Sequence, residues 1–268
     1  MKAVIVAEAA SNHNGDIGIA REMIHAAKEA GADVIKFQSY LGSNVRDNHP
    51  DKERFMSVNL SDEAHFELME ECRKAGITFY TTCFDIGRID FLRSLGLKNI
   101  KVASYDMVSR QMVGKLADNF SHLILSTGSV PRDEIKKTVD MLKTKNGCRF
   151  TLLHCTTLYP TPPEKVRLMR MNWLRTLTPN VGFSDHTLGV DVPKAAIAMG
   201  AVMIEKHFTL DKKMKGRSHH LACDPVELRE LADYAVFFEK IKGEDPESFS
   251  KEELNTYECY RGLLGEGI

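Results

Sequence analysis

Eight short β-rich runs, each followed by sequence with helical spacing, pass along the chain and leave few ways for it to fold. The runs cover residues 3–7, 33–37, 77–81, 99–103, 123–125, 150–154, 181–183 and 202–205. Between them apolar residues recur at helical intervals, as in Ile17, Ala20, Ile24 and Ala27 after the first run and Ile135, Val139 and Leu142 after the fifth. Asp224-Pro225-Val226-Glu227 supplies an N-cap, a proline at the first helical position and a capping-box acid, and Leu228, Leu231, Phe238 and Ile241 give the following helix its apolar face. Eight strand–helix units of this size predict a parallel (β/α)8 TIM barrel, an α/β fold in one domain over residues 1–242; an open doubly wound sheet more often stops at five to seven strands. Residues 243–268 are expected to form a short C-terminal helical extension.

A barrel of this kind carries its chemistry where the strands end, and here most runs end in polar residues. Examples are Glu8, Lys36-Phe37-Gln38, Thr81-Thr82, Ser104-Tyr105-Asp106, Ser126-Thr127-Gly128, Ser184-Asp185-His186 and Lys206-His207. Side chains at the C-terminal ends of strands from all around a barrel converge on one mouth. The balance of 36 basic against 37 acidic residues, without like-charge blocks, excludes a general nucleic-acid or anionic-membrane partner, so any anion site is local. Six cysteines without a C-x-x-C pair point to reduced thiols in a cytoplasmic protein, and no apolar run is long enough to span a membrane. Residues 41–59 form a long polar stretch expected to act as a lid.

His186 and His207 end consecutive runs. On neighbouring barrel strands their imidazoles can share one divalent metal, with coordination positions left for water and substrate oxygens. His219 and His220 are competing ligands, and Asp185 is a candidate partner for an imidazole. Lys36 and Lys101 end buried runs where a lone ammonium is costly, so each needs either a carboxylate (Glu8, Asp106 or Glu205) or an anionic ligand such as phosphate. Ser104, Ser126, Thr127 and Ser184 add donors around the same anion. Glu8 and Asp106, at a partly dry mouth, are candidate acid–base groups. No P-loop, G-x-G-x-x-G or G-x-S-x-G motif is present, so nucleotide-binding and serine-hydrolase readings lack their usual devices.

Taken together, Ala7-Glu8, Asn12-His13-Asn14-Gly15, Asp33-Val34-Ile35-Lys36-Phe37-Gln38, Leu125-Ser126-Thr127-Gly128, Leu153-His154-Cys155-Thr156, Tyr159-Pro160-Thr161-Pro162, Ser184-Asp185-His186-Thr187 and Glu205-Lys206-His207-Phe208 resemble the N-acetylneuraminate (sialic acid) synthase family. The resemblance implies a (β/α)8 barrel that condenses phosphoenolpyruvate with an amino-sugar aldehyde, such as N-acetylmannosamine, to give a nine-carbon 2-keto-3-deoxy acid and phosphate. It implies metal ligands at His186 and His207, for Mn2+ first and Mg2+, Co2+ or Zn2+ as alternatives. It places phosphoenolpyruvate contacts at Lys36, Thr82, Lys101, Ser104, Ser126, Thr157 and Ser184, catalytic carboxyls at Glu8 and Asp106, and acceptor contacts at Gln38, Phe84 and Tyr159.

Three departures bear on the acceptor half. Thr157 stands where the family carries an asparagine, and Lys215-Gly216-Arg217-Ser218 stands where it carries Pro-Gly-Pro-Asp, so Arg217 and Ser218 are expected to shape an altered acceptor pocket. The family's C-terminal antifreeze-like domain has no counterpart in this sequence, so the partner is expected to be a second copy of the chain or a separate antifreeze-like protein. The alternatives are another phosphoenolpyruvate-dependent 3-deoxy-ulosonate synthase, or a barrel that binds sugar phosphates without turnover.

Overall fold

The computed structural model describes residues 2–243 and 247–265. The expected extension over residues 243–268 therefore falls partly outside the described residues. Strands β1 (Val4–Glu8), β2 (Val34–Ser39), β3 (Thr78–Cys83), β4 (Asn99–Val102), β5 (His122–Ser126), β6 (Arg149–Cys155), β7 (Val181–Asp185) and β8 (Met203–His207) pair in parallel and in sequence order, and β8 closes onto β1. The α-helices among the described residues are α1 (Ile17–Glu29), α2 (Lys52–Ser57), α3 (Asp62–Ala75), α4 (Ile89–Ser94), α5 (Arg110–Asn119), α6 (Arg132–Lys143), α7 (Arg170–Arg175), α8 (Asp191–Ala198), α9 (Pro225–Ile241) and α10 (Lys251–Tyr260). This is the closed (β/α)8 barrel expected from the eight runs. None of the described helices is long and apolar enough to cross a membrane.

Alternation along the strands divides the apolar residues into two cores. Ile5, Ala7, Ile35, Phe37, Ile100, Val102, Leu123, Leu125 and Ile204 belong to the large cluster shared with the helices, where α1 contributes Met23 and Ile24. Residues of the opposite parity, Val6, Val34, Tyr80, Ile124, Leu153 and Met203, form a separate small cluster inside the barrel. Each fully buried aliphatic side chain contributes roughly 1.5–3 kcal/mol before chain entropy is counted. One step of two residues beyond this inner plug, the same face carries Glu8, Lys36, Thr82, Ser126, Cys155 and Glu205. The inner face thus changes from apolar to ionisable within one layer, and the mouth begins there.

Helix α9 begins as its sequence predicts. Asp224 Oδ1 accepts from the backbone N–H groups of Val226 and Glu227 at 3.0 Å each, and the Glu227 carboxylate accepts from Asp224 N–H at 3.3 Å. Residues 41–59 are a folded segment containing α2. Tyr40 and Phe55 meet edge to face at 5.7 Å, His49 packs on Phe55 at 5.4 Å, and Phe84 reaches Tyr40 at 6.3 Å. Gly15 lies so close to this segment that a Cβ there would sit 2.3 Å from the Ser57 carbonyl oxygen. Its φ of 81° is likewise one that few side-chain-bearing residues adopt. The segment is pinned to the β1–α1 loop on one side and, through Asp51 and Arg217 at 2.5 Å, to the loop after β8 on the other.

Candidate active site

Register puts the ionisable residues side by side. Glu8 of β1 is level with Lys36 of β2 and with His207 of β8, Thr82 of β3 with Lys101 of β4, and Ser184 of β7 with Cys155 of β6 and Glu205 of β8. Lys36 donates to Thr82 Oγ1 at 2.7 Å and is ion-paired with Glu8. Lys101 donates to Ser126 Oγ at 2.7 Å and to its neighbour's carbonyl, Val102 O, at 3.1 Å. Between the lysines stands Glu205, with Oε2 3.6 Å from Lys36 Nζ and Oε1 3.7 Å from Lys101 Nζ; Ser184 Oγ donates to Oε1 at 2.8 Å. Sequence reasoning offered ion pairing and anion binding as alternatives for the two lysines. The structure pairs both lysines with carboxylates and still sets hydroxyl groups around them.

All four charged groups are buried, so their ionisation depends on one another. Burial, reinforced by the charge of Glu205, raises the Glu8 carboxyl to about 7 although Lys36 opposes it. Burial pushes Glu205 in the same direction, but Lys101 and Lys36 outweigh it and hold that carboxylate down at about 2. Burial works against the charge of Lys36, yet Glu205 and Glu8 keep it above the ordinary lysine value. Lys101 is lowered, by burial first, with Glu205 opposing and Lys36 adding to the effect. Glu205 is the hub of the cluster, yet the sequence marked it only as one ion-pair candidate. Its signal was positional: it lies two residues before His207 on β8 and so shares that residue's inward face.

His186 and His207 meet at the mouth with ring centroids 5.4 Å apart. His186 Nδ1 lies 2.7 Å from the Thr156 carbonyl, so Nδ1 carries the proton and Nε2 keeps its lone pair. His207 Nδ1 is buried and has no hydrogen-bond partner. Burial lowers the pKa of both imidazoles, His207 well below the ordinary value with the charges of His186 and Lys36 adding to the effect. Two adjacent neutral imidazoles, one with an orphaned buried nitrogen, fit a divalent cation. Among the described residues no group of three or more His, Cys, Asp or Glu side chains is set to hold a metal. Tyr159 lies over His186 at 4.1 Å and reaches His207 at 6.1 Å.

The other expected residues surround this centre. Asp106 lies on the turn after β4, and burial raises its carboxyl to about 6 against the pull of Lys101. Ser104 Oγ accepts from Gly128 N–H at 2.9 Å, which ties the β4 and β5 turns together. Thr157 shares a short hydrogen bond with Ser129 at the β5–β6 rim. Gln38 is level with Thr82 near the top of β2, and Phe84 joins the aromatic group that pins residues 41–59. Arg217 is engaged by Asp51, and Ser218 precedes the turn at His219–Leu221.

Two expectations are corrected. His219 is not turned toward the histidine pair: it is bonded to Thr209 Oγ1 at 2.7 Å and approaches Asn14 Oδ1 at 3.5 Å. Asp185 reaches no imidazole and instead pairs with Lys206 at 2.7 Å. Cys155 is a buried thiol pushed up to about 11 by desolvation, which leaves it a wall of the site and no nucleophile.

Residues 23–247 match the model of the NeuB family. An uncharacterised protein of Methanocaldococcus jannaschii is 42% identical over 89% of this chain and 72% of its own length. The N,N'-diacetyllegionaminic acid synthase of Campylobacter jejuni is 38% identical over 98% of this chain and 84% of its own. Among solved structures, the N-acetylneuraminic acid (sialic acid) synthetase of Leptospira borgpetersenii, crystallised with citrate, superposes with a TM-score of 0.93 at 30% identity, covering 98% of this chain and 93% of that one. The chain belongs to the NeuB family of synthases.

Proposed function

We propose that this protein condenses phosphoenolpyruvate with an amino-sugar aldehyde, N-acetylmannosamine or a related diacetamido sugar, to give a sialic-acid-like nonulosonic acid and phosphate. The observation that carries this reading is the pairing of a two-lysine, three-hydroxyl cradle with two neutral imidazoles on the adjoining strands. Relatives named as legionaminic and sialic acid synthases support it.

Lys36, Lys101, Thr82, Ser126 and Ser184 bind the phosphate and carboxylate of the enol phosphate, and Ser104 and Thr157 flank them. Each charge-assisted hydrogen bond in such a dry cradle is worth roughly 1.5–3 kcal/mol. Glu8, near neutrality in its titration, gains or loses a proton readily as the anion arrives. In the reaction the methylene carbon of the enol phosphate bonds to the aldehyde carbon, whose oxygen takes a proton. Water then adds, with loss of a proton, at the carbon that bears the phosphate oxygen, and the bond from that carbon to phosphate breaks to leave the keto group. Glu8 and Asp106 carry the protons for these steps. His186 and His207 would hold a divalent ion, Mn2+ first among the candidates, which supplies Lewis acidity beside the aldehyde when bound. Tyr159, Gln38, Phe84, Arg217 and Ser218 line the acceptor side.

The test is phosphate release from phosphoenolpyruvate with Mn2+ and a panel of aldoses, followed by product mass. The expected result is aldose-dependent release of one phosphate per nonulosonic acid formed. Failure of every aldose in the panel to release phosphate, while phosphoenolpyruvate binds, would reduce the protein to a binding barrel.

A further inference from the structure

Beside the cradle lies a cavity of about 300 Å3 lined by Ser129, Thr156, Thr157, Lys165, Arg167 and Arg170, with His154, Cys155 and Leu158 completing it. No carboxylate lines it. Lys165, Arg167 and Arg170 form no ion pair among the described residues, although many of the surface cations elsewhere do. Arg170 donates to the Val130 carbonyl at 2.9 Å and stacks on Trp173, while its Nε is buried with no hydrogen-bond partner. Arg167 holds a φ of 58°, which arginine seldom adopts. Burial, then the charges of Arg132 and Arg167, lowers the Arg170 pKa, the direction expected of a partly buried cation with like charges beside it. Three cations without a counter-charge, with the bonded Ser129–Thr157 hydroxyl pair beside them, match the charge of a phosphate dianion.

We propose that this cavity is a second phosphate subsite. It shares Cys155 and Thr157 with the wall of the cradle, and at Gly128 the two regions are so close that an added Cβ would sit 2.7 Å from Thr157, 3.1 Å from Cys155 and 3.1 Å from Ser104. Its role rests on the reaction proposed above: the bond that breaks there frees phosphate from the cradle, and this cavity adjoins the cradle with positive charge to spare. The subsite receives that orthophosphate as it leaves, so phosphate and phosphoenolpyruvate can be held at once.

The experiment is calorimetric titration of orthophosphate into the protein saturated with phosphoenolpyruvate, with no aldose and no added metal. One phosphate per chain is expected to bind in addition to phosphoenolpyruvate. The exposed pair Lys165→Ala and Arg167→Gly, the latter suited to the positive φ, should weaken that phosphate at least tenfold and leave phosphoenolpyruvate affinity within twofold. Arg170→Lys, which keeps the charge and loses the guanidinium fork, should give a smaller loss in the same direction. Complete displacement of phosphate by phosphoenolpyruvate, or unchanged phosphate binding in the double variant, overturns the subsite. An aldose 6-phosphate binding tenfold tighter than orthophosphate would identify the acceptor as the source of the phosphate; equal affinity identifies the leaving group. Should phosphoenolpyruvate itself fail to bind, the cradle reading fails, and the same titration without it still decides for or against the cavity.

Discussion

Asp185 and Lys206 form a fully buried ion pair at 2.7 Å between facing positions of β7 and β8, one residue before His186 and His207 respectively. Lys206 also donates to the Thr187 carbonyl at 2.6 Å, and Asp185 accepts from Thr187 N–H and Oγ1–H at 3.0 and 2.9 Å. Because alternate strand residues face opposite ways, this pair braces the outside of the wall whose inside carries the two imidazoles. It stands directly behind the strand ends that carry them.

Lys206→Met therefore strands a buried carboxylate, and the expected loss is about 3–5 kcal/mol in urea denaturation. Adding Asp185→Leu should recover much of that stability, since a buried pair replaced as a unit is often neutral. Mn2+ affinity, read by electron paramagnetic resonance, should fall in the single variant, because disturbing the two strand ends moves the imidazoles they carry. Unchanged affinity would show that the pair does not set the spacing of the imidazoles.

Lys101→Met removes one charged donor from the cradle and leaves Glu205 paired with Lys36. The expected consequence is a rise in KM for phosphoenolpyruvate of roughly 10- to 100-fold. Circular dichroism should show the barrel intact. A KM within twofold of wild type would mean that Lys101 serves only to balance Glu205.

Arg217 and Asp51 tie the β8 loop to residues 41–59, and both are too exposed for their pair to add much stability. Arg217→Ala and Asp51→Asn are expected to raise KM for the aldose and to leave KM for phosphoenolpyruvate within twofold. Steady-state kinetics with each substrate varied in turn separates the two. Equal effects on both substrates would place this latch outside the acceptor pocket.

Asp106 provides a pH signature. Its folded-state carboxyl lies at about 6 against an ordinary 3.8, so the native state binds the proton more tightly than the unfolded chain does. The stability this contributes is present below the ordinary value and is lost as pH rises through about 6. Melting temperatures of wild type should therefore decline relative to Asp106→Asn between pH 4 and 6 and run parallel above pH 7. A flat difference across that window would contradict the raised carboxyl.

Much of this was legible in the residues. The eight strands follow from β-rich runs that stop at helical spacing, and α9 follows from Asp224, Pro225 and Glu227. The runs ended short of the true strand ends at Cys155, Asp185 and His207 because the apolar pattern stops where the chemistry begins. Glu8, Lys36, Lys101, His186 and His207 stand out in the sequence because charged or ligating groups at the ends of buried strands need a reason to be there, and the structure brings them to one mouth. Glu205 was undervalued, since only register shows that its two oxygens face two lysines. The Asp185–Lys206 brace and the Lys165, Arg167 and Arg170 cavity were not legible, because they depend on which side chains meet across strands and loops rather than on spacing along one element.

Central to the proposed function is a single divalent ion held by His186 and His207 beside the phosphoenolpyruvate cradle. Its most direct test is titration of chelator-treated protein with Mn2+, followed by electron paramagnetic resonance in the presence of phosphoenolpyruvate, for wild type and His207→Ala. One tightly held ion per chain in wild type, weakened at least tenfold in the variant, is the predicted result. Equal Mn2+ binding by the two proteins would contradict it.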